Sequence, residues 1–259
     1  MKKILLAFLT IFLLFFFFNQ KGPSFKDGPL PQEDQPEAGQ PMAEPSIIDK
    51  LDTITYNHQI YPFAYYQVNN SENLKLFLNL PQAESSIDII KKNNCIFLTN
   101  GGFYDKNNQP IGWFVLDGKE LSKEITSRLF NGFLQLSNKK VFITTLPLPN
   151  VDFGLQSGPL LIQDQKTLGL KIINDEGRRR IIAAITTQNH LIFIAIISKE
   201  SEFNGPLLAE TPQVLEKIGQ KINQEFESAI NLDGGSASVF FTPETFIEEF
   251  SPIGSYFCL

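Results

Sequence analysis

Apolar and polar side chains alternate along much of the chain, and this period of two predicts a fold rich in β-strands. Through residues 54–80 apolar side chains recur at every second position, and Asn69-Asn70-Ser71 interrupts them. We therefore predict an opening hairpin with its turn at residues 69–71. Two further alternating segments, 132–136 and 141–145, are joined by a short polar stretch and predict a second hairpin.

Three shorter runs are apolar at nearly every position, which indicates strands that are buried on both faces. They cover residues 95–99, 181–185 and 191–197. Since the last two runs are separated only by a short polar turn, we predict that they are neighbouring strands in the middle of a covered sheet. Asp117-Gly118 lies between apolar flanks and predicts a tight hairpin turn.

Two segments have the period of an amphipathic helix. The first covers residues 83–94, with Ile87 and Ile90 in helical register. The second begins at Thr211-Pro212, with Thr as the N-cap and Pro at the first helical position, and its apolar residues continue to Phe226. Together these elements predict an α+β fold, a single domain in which two principal helices pack on a strand-rich, mixed or antiparallel sheet.

The first 21 residues have the pattern of a targeting segment. Two lysines precede an apolar run from Ile4 to Phe18, which predicts a signal peptide or an N-terminal membrane anchor. Residues 22–46 contain several prolines among polar residues and are expected to form a disordered tether. The folded domain is then predicted to span residues 47–259. We expect the protein to act outside the cytoplasm, as a periplasmic, secreted or membrane-anchored protein.

Composition narrows the classes of function. The net charge of −6 and the pI of about 5.1 lack the basic excess of nucleic-acid-binding proteins, so no nucleic-acid partner is expected. Two cysteines cannot supply a disulfide framework or a cysteine-rich metal site. Cys95 is interpreted as a buried apolar residue, and a bridge to Cys258 stays open. Neither histidine has the spacing of a metal site or a catalytic triad, and the sequence gives no oligomeric state.

The residues with the most chemical potential lie where predicted strands end. Glycines in these segments let the backbone pass close to a ligand, and the neighbouring polar side chains can bind one. Each glycine-containing segment on its own is also typical of a turn or a bulge, and the arginines on their own are also typical of salt-bridged or solvated side chains. The four segments are Asn100-Gly101-Gly102, Ser157-Gly158-Pro159, Arg178-Arg179-Arg180 and Asn231-Leu232-Asp233-Gly234-Gly235.

In their order along the chain, these segments resemble the phosphodiester glycosidase family. The resemblance covers about residues 50–245, and it includes Pro110 and Gly112 between the first two segments. Two positions depart from the family pattern. Ser236 stands where a third glycine often follows, and the residues after Arg180 are bulkier and more apolar than the usual Ser or Thr. The second departure leaves Arg179 and Arg180 as alternatives for the matching arginine.

The resemblance implies hydrolysis of a sugar-1-phosphodiester bond, like that of an N-acetylglucosamine-1-phosphodiester, in a glycan or cell-envelope polymer. It implies no metal or other cofactor. Positive charge grows on the sugar in such a reaction, and negative charge grows on the departing phosphate. Asp233 is therefore expected to be the nucleophile or general base, Arg180 to bind the phosphate, and Asn100 to complete the catalytic set. The expected substrate-binding residues are Gly101, Gly102, Asp105, Ser157, Gly158, Arg179, Asn231, Gly234, Gly235 and Ser236.

Two other functions fit the same residues. In the first, Asp233, Asp105 and asparagine oxygens hold a hard cation, as in a metal-dependent phosphoesterase. In the second, the chain is a non-catalytic module that binds glycans or anionic polymers of the envelope. Activity that a chelator abolishes would indicate the first, and binding without turnover would indicate the second.

Overall fold

The computed structural model describes residues 46–107 and 109–259, which belong to one compact unit, Glu44–Leu259. The predicted targeting segment, residues 1–21, lies outside the described residues, as does the predicted tether at 22–46 apart from its last residue. Among the described helices, none has the length and hydrophobicity needed to cross a membrane.

Seventeen strands and two α-helices make up the described chain. In chain order the strands are β1 (Asp52–Tyr56), β2 (Gln59–Val68), β3 (Lys75–Leu78), β4 (Leu98–Asn100), β5 (Phe114–Leu116), β6 (Lys119–Ser122), β7 (Gly132–Ser137), β8 (Lys140–Thr144), β9 (Phe153–Ser157), β10 (Leu160–Gln163), β11 (Lys166–Thr167), β12 (Arg180–Thr186), β13 (Leu191–Ile196), β14 (Phe226–Asn231), β15 (Phe240–Thr242), β16 (Thr245–Ile247) and β17 (Ser255–Cys258). The helices are α1 (Ser86–Asn93) and α2 (Thr211–Lys221), and short 3-10 helices cover Ile47–Lys50, Ser71–Asn73 and Gly235–Ala237.

The strands form three sheets, and every strand pair in them is antiparallel. A seven-stranded sheet has the order β1-β2-β13-β12-β14-β10-β11. The two five-stranded sheets have the orders β16-β15-β4-β17-β3 and β6-β5-β9-β7-β8. The predicted α+β class, rich in antiparallel strands with two helices, is confirmed.

Both faces of the seven-stranded sheet are covered, as the apolar runs of β12 and β13 predict. On one face Ile181, Ala183 and Phe193 pack in the main core with residues from the other two sheets. On the opposite face Ile182 and Ile194 pack under α2, whose apolar residues Val214, Leu215 and Ile218 are fully buried. This packing fixes β12 and β14 in the middle of the molecule, and both strands lead to the site described below.

A disulfide joins Cys95, just before β4, to Cys258 at the end of β17. The two strands are neighbours in their sheet, with Cys258 opposite Leu98 and Tyr256 opposite Asn100. The bridge therefore closes one end of a strand pair whose other end carries Asn100 and Gly101. It resolves the question that the sequence left open for these cysteines.

An opening hairpin is present, but its turn does not lie at the predicted residues 69–71. The hairpin consists of β1 and β2, and Asn57 and His58 form its turn with φ of 48° and 64°. Residues 69–71 instead carry the chain to β3, which belongs to another sheet and pairs with β17. Alternation predicted the strands correctly, but it carries no information about which strand each one pairs with.

The other predicted turns and helices need smaller corrections. Asp117 and Gly118 form the turn between β5 and β6, as predicted, and residues 138–139 form the turn between β7 and β8. Helix α1 begins three residues later than predicted. Helix α2 begins at Thr211 itself, whose hydroxyl donates to the carbonyl of Leu207, so Thr211 is the first helical residue and not the N-cap.

Candidate active site

A cleft of about 470 Å³ lies at one end of two inner strands of the seven-stranded sheet, where β12 begins and β14 ends. The antiparallel register pairs Ile182 with Asn231, and the amide of Leu232 continues it by donating to the carbonyl of Ile181 at 2.8 Å. Asp233 directly follows Leu232, and Arg180 directly precedes Ile181 on the neighbouring strand. Both residues line the cleft, so the fold brings a carboxylate and a guanidinium to one site.

Asp233 is held by the neighbouring sheet. Its backbone amide donates to the carbonyl of Gly101 at 3.1 Å, and its carbonyl accepts from the side-chain amide of Asn100 at 2.7 Å. The side-chain carbonyl of Asn100 accepts from the amide of Val239 at 3.0 Å, which fixes the far end of the same loop. Asn100 is 1% exposed and is therefore a support for the loop that carries Asp233, rather than a wall of the cleft.

The two glycines after Asp233 are required by the close passage of this loop over Arg179. A Cβ on Gly234 would lie 2.7 Å from the carbonyl oxygen of Arg179. Gly235 has φ of +68°, and its amide donates to that same oxygen at 3.0 Å. A larger residue at 234 would push the loop off the strand, so the pair of glycines sets the position of the carboxylate.

Burial raises the pKa of the Asp233 carboxyl to about 7, and the amide of Gly234 opposes this in part by donating to the charged form. Within the described residues, no Lys, Arg or His lies within 4 Å of this carboxylate. The group therefore changes between a neutral acid and a carboxylate near neutral pH. A perturbed group of this kind in a cleft is typical of acid–base or nucleophilic chemistry.

The three consecutive arginines alternate in direction, as expected of extended backbone. Arg180 lines the cleft, where its Nε donates to the carbonyl of Pro206 at 3.0 Å and its Nη2 to that of Glu176 at 2.8 Å. Its hydrogen bonds to the described residues use Nε and Nη2, which leaves Nη1 for a ligand. Burial lowers the pKa of Arg180 to about 10, and Asp175, 3.8 Å away, counteracts the decrease, so the side chain stays charged at neutral pH.

Arg179 points to the other side of the strand and away from the cleft. Its guanidinium donates to the carbonyls of Glu202 and Glu248 and lies 4.1 Å from the centre of the Phe250 ring. It is 2% exposed, so its role is to tie two surface loops together. Between the two alternatives left by the sequence, Arg180 is the one that faces the cleft.

Asn231 and Gly158 form part of the cleft wall beside Asp233. The side-chain amide of Asn231 donates to the carbonyls of Gly158 and Leu232, at 3.1 and 2.7 Å. Its Oδ1 is buried and accepts no hydrogen bond from the described residues. The amide of Gly158 and the hydroxyl of Ser157 both donate to the backbone carbonyl of Asn231, so neither is free to bind a phosphate.

The remaining sequence candidates divide into two groups. Gly234, Gly235 and Ser236 line the cleft, and the Ser236 hydroxyl accepts a 2.8 Å hydrogen bond from that of Ser251. Gly101 and Gly102 do not line it. They are packed against Ser255, where a Cβ on Gly101 would lie 2.5 Å from the Ser255 hydroxyl.

Asp105 is not brought to the site. Its carboxylate accepts hydrogen bonds from the amides of Asn107 and Gln109, which lower its pKa and close a surface loop. The ligand set of the metal-dependent alternative is therefore not assembled around Asp233. Among the residues that the structure describes, no group of three or more His, Cys, Asp or Glu side chains could hold a metal ion.

Sequence reasoning missed several cleft residues. Arg178 lines the cleft beside Arg180 and pairs with Glu176 at the surface; strand alternation from Arg180 would have identified it. Phe103, Leu129 and Leu208 form apolar parts of the wall; Phe103 directly follows the Asn100-Gly101-Gly102 segment, whereas Leu129 and Leu208 had no signal in the sequence. Outside the cleft lining, burial raises the pKa of the Tyr104 phenol, and the negative charge of Asp233 adds to that effect.

Comparison with solved structures places this fold among known ones. The catalytic domain of zebrafish N-acetylglucosamine-1-phosphodiester alpha-N-acetylglucosaminidase, auto-inhibited by its pro-peptide, is similar with a TM-score of 0.62 and 13% identity, over 81% of each chain. A putative exported protein from Burkholderia pseudomallei is similar with a TM-score of 0.53 and 12% identity, over 78% of this chain and 74% of the other.

A hypothetical protein from Synechocystis gives a TM-score of 0.55 at 14% identity. The match covers 80% of this chain but only 61% of that protein. At these identities the likeness concerns the fold alone. No curated protein sequence matches the chain significantly.

The family comparison covers more than half of the chain. The phosphodiester glycosidase family model matches residues 93–255, which include β4, the three arginines, α2 and the loop that carries Asp233. The match therefore contains every residue assigned above to the cleft. This chain belongs to the phosphodiester glycosidase family.

Proposed function

We propose that the protein hydrolyses a sugar-1-phosphodiester, such as an N-acetylglucosamine-1-phosphodiester, in a glycan or polymer of the cell envelope. The observation that carries the proposal is that Asp233 and Arg180 line the same cleft. The reaction needs a carboxylate at the anomeric carbon and a cation at the departing phosphate. Membership of the family supports the hydrolase class, and the specific substrate is part of the proposal.

The bond that breaks joins C1 of the sugar to the ester oxygen of the phosphate. As it breaks, Asp233 in its ionised form stabilises the positive charge at C1, either by bonding to it or by activating a water molecule. The oxygen of water ends on C1, and the phosphate leaves as a monoester with the bonding electrons. Asp233 is the only carboxylate among the described residues that line the cleft. A phosphate leaving group needs little help from a general acid, so one carboxylate is sufficient.

Arg180 stabilises the departing phosphate. Two of its nitrogens are fixed by backbone carbonyls, so the guanidinium is held in place before the substrate binds. Its remaining nitrogen faces an oxygen on which negative charge increases during the reaction, which is where a fixed cation lowers the barrier most.

The proposed place of action is outside the cytoplasm. The positively charged and apolar pattern of residues 1–21 supports export, and the Cys95–Cys258 disulfide fits an oxidising compartment. The similar exported protein from Burkholderia pseudomallei is in keeping with this.

Turnover of the purified protein on a panel of sugar-1-phosphodiesters tests the proposal. We expect free sugar to be released by the wild type and unaffected by a chelator. Asp233→Asn should release none while keeping the wild-type circular dichroism spectrum. Release that the chelator abolishes would indicate the metal-dependent phosphoesterase, and glycan binding without turnover by folded wild type would indicate the binding module.

A further inference from the structure

A second arginine, Arg178, lines the cleft together with Arg180. The side chain of Arg180 is only 9% exposed, whereas that of Arg178 is 55% exposed. The aliphatic part of Arg178 lies against the loop that carries Asp233, because a Cβ on Gly235 would be 3.9 Å from its Cδ. The two arginines are therefore an inner and an outer cation of one cleft.

Glu176 holds the two guanidinium groups next to each other. Its backbone carbonyl accepts from Nη2 of Arg180 at 2.8 Å, and its carboxylate accepts from Nε of Arg178 at 3.0 Å and from Nη2 as well. Burial is the main cause of the lowered pKa of Arg180, and the positive charge of Arg178 contributes to the decrease. Hydrogen bonds to the described residues use Nε and Nη2 of both arginines, so each has its Nη1 left for a ligand.

The charges of the cleft favour an anion with more than one negative charge. Arg178 and Arg180 supply two positive charges, and Asp233 is the only carboxylate among the described residues of the lining. Outside the lining, Asp175 lies 3.8 Å from Arg180, and the Glu176 carboxylate pairs with Arg178. Both side chains of the second pair are more than half exposed, so the pair contributes little in water and a ligand can replace the carboxylate.

The charge of the phosphate changes during the proposed reaction. A phosphodiester carries one negative charge. When the bond between its oxygen and C1 of the sugar breaks, the bonding electrons stay on that oxygen, so the phosphate carries two negative charges until it takes up a proton. A cation that binds the departing phosphate more strongly than the intact diester lowers the barrier.

We propose that Arg178 is a second phosphate-binding residue, whose guanidinium leaves Glu176 and binds the phosphate together with Arg180 as the bond to the sugar breaks. This inference rests on the proposed function and adds a catalytic residue to it. Arg180 is fixed by two backbone carbonyls and binds the phosphate throughout. Arg178 binds the second charge, which is present in the transition state and in the phosphomonoester product.

Arg178→Gln tests this on the methyl ester of one uncharged sugar 1-phosphate, whose phosphate is its only charged group. We expect kcat to fall about 10- to 100-fold with a change in KM of less than about threefold, because the lost contact is made in the transition state. The inhibition constant of methyl phosphate should rise about tenfold relative to wild type at pH 8, where this product is a dianion. At pH 5, where it is mainly a monoanion, the two proteins should differ by less than about twofold.

The matched control is Arg128→Gln, which removes an exposed arginine that does not line the cleft. It should keep the wild-type kcat and inhibition constant. Glu176→Gln removes the carboxylate that competes for Arg178 and keeps the carbonyl that binds Arg180. This variant should bind methyl phosphate at pH 8 at least as tightly as wild type.

An unchanged kcat in Arg178→Gln, or a loss that appears in KM alone, overturns this inference while wild type still cleaves the ester. An equal loss in Arg128→Gln would show general attraction of anions, and weaker methyl phosphate binding in Glu176→Gln would show a structural role of the ion pair. Either result also overturns the inference. Failure of wild type to cleave any sugar-1-phosphodiester overturns the proposed function itself.

Discussion

The side-chain amide of Asn100 donates a 2.7 Å hydrogen bond to the backbone carbonyl of Asp233, and its carbonyl accepts one from the amide of Val239. One buried side chain thereby joins β4 to both ends of the loop that carries the carboxylate. The disulfide closes the opposite end of the β4–β17 pair. The position of Asp233 therefore depends on a sheet that contributes little to the wall of the cleft itself.

Asn100→Ala tests this dependence. Loss of both hydrogen bonds should lower kcat roughly 10- to 100-fold through misplacement of the carboxylate, and should destabilise the fold by about 1–3 kcal/mol. Steady-state kinetics and urea unfolding measure the two effects. If the variant unfolds more easily but keeps the wild-type kcat, Asn100 does not position Asp233.

The pH dependence of kcat/KM reports on Asp233. Because the ionised form acts, and burial raises its pKa to about 7, kcat/KM should increase with pH and level off above about pH 7. At pH 5 it should be about 100-fold below the plateau. Asp105→Asn, which removes a surface carboxylate with a lowered pKa, should leave the profile unchanged. A profile that is flat from pH 5 to 8, or that decreases with pH, contradicts the assignment.

The raised pKa of Asp233 also means that its ionised carboxylate lowers the free energy of unfolding. Its pKa is higher in the folded state than in the unfolded chain, where it is about 3.9, so folding favours the protonated form. The cost is absent below about pH 4, grows between pH 4 and 7, and is constant above. Asp233→Asn should therefore be more stable than wild type by up to about 4 kcal/mol at pH 8, since a pKa shift of about three units contributes about 1.4 kcal/mol per unit. Urea unfolding at pH 4 and pH 8 measures this, and equal stability at pH 8 would show that the carboxylate is well solvated.

Arg180 and Arg179 should respond differently to the same substitution. Arg180→Lys loses the fixed guanidinium of the cleft, and kcat/KM should decrease about 100- to 1000-fold. Arg179→Lys loses the bonds to two loop carbonyls and the contact with Phe250, so it should lower the free energy of unfolding by about 1–3 kcal/mol. It should have little effect on kcat/KM. A larger kinetic loss for Arg179→Lys would reverse the assignment of the two arginines.

Hydrophobic patterning predicted both helices and the central strands, because it records which faces are buried, but it continued the second helix to Phe226, where the structure has the first residue of β14. The runs 181–185 and 191–197 are apolar throughout, and they became β12 and β13 in the centre of a sheet covered by α2 and the main core. Patterning could not predict pairing. The partner of β3 is β17, near the C-terminus, and no local feature of either segment encodes that contact.

Only part of the site could be predicted, because the sequence shows local signals but not the contacts between distant segments. Asp233 and its glycines carry a local signal, since an Asp followed by two glycines at a strand end is conspicuous in sequence. Whether a polar side chain faces the cleft or supports it depends on contacts distant in the chain. Asn100 and Ser157 were expected to contact substrate, yet their hydrogen bonds go to the backbone of the segment 231–239. Asp105 was expected at the site, but its own loop amides hold it elsewhere.

The central claim is that the C1–oxygen bond of the sugar is broken, and hydrolysis in ¹⁸O-labelled water tests it most directly. Mass spectrometry of the products of an N-acetylglucosamine-1-phosphodiester locates the label. We predict that ¹⁸O appears in the free sugar and not in the phosphate, and that Asp233→Asn yields neither product. Label in the phosphate would show attack at phosphorus, and would contradict both the glycosidase and the role given to Asp233.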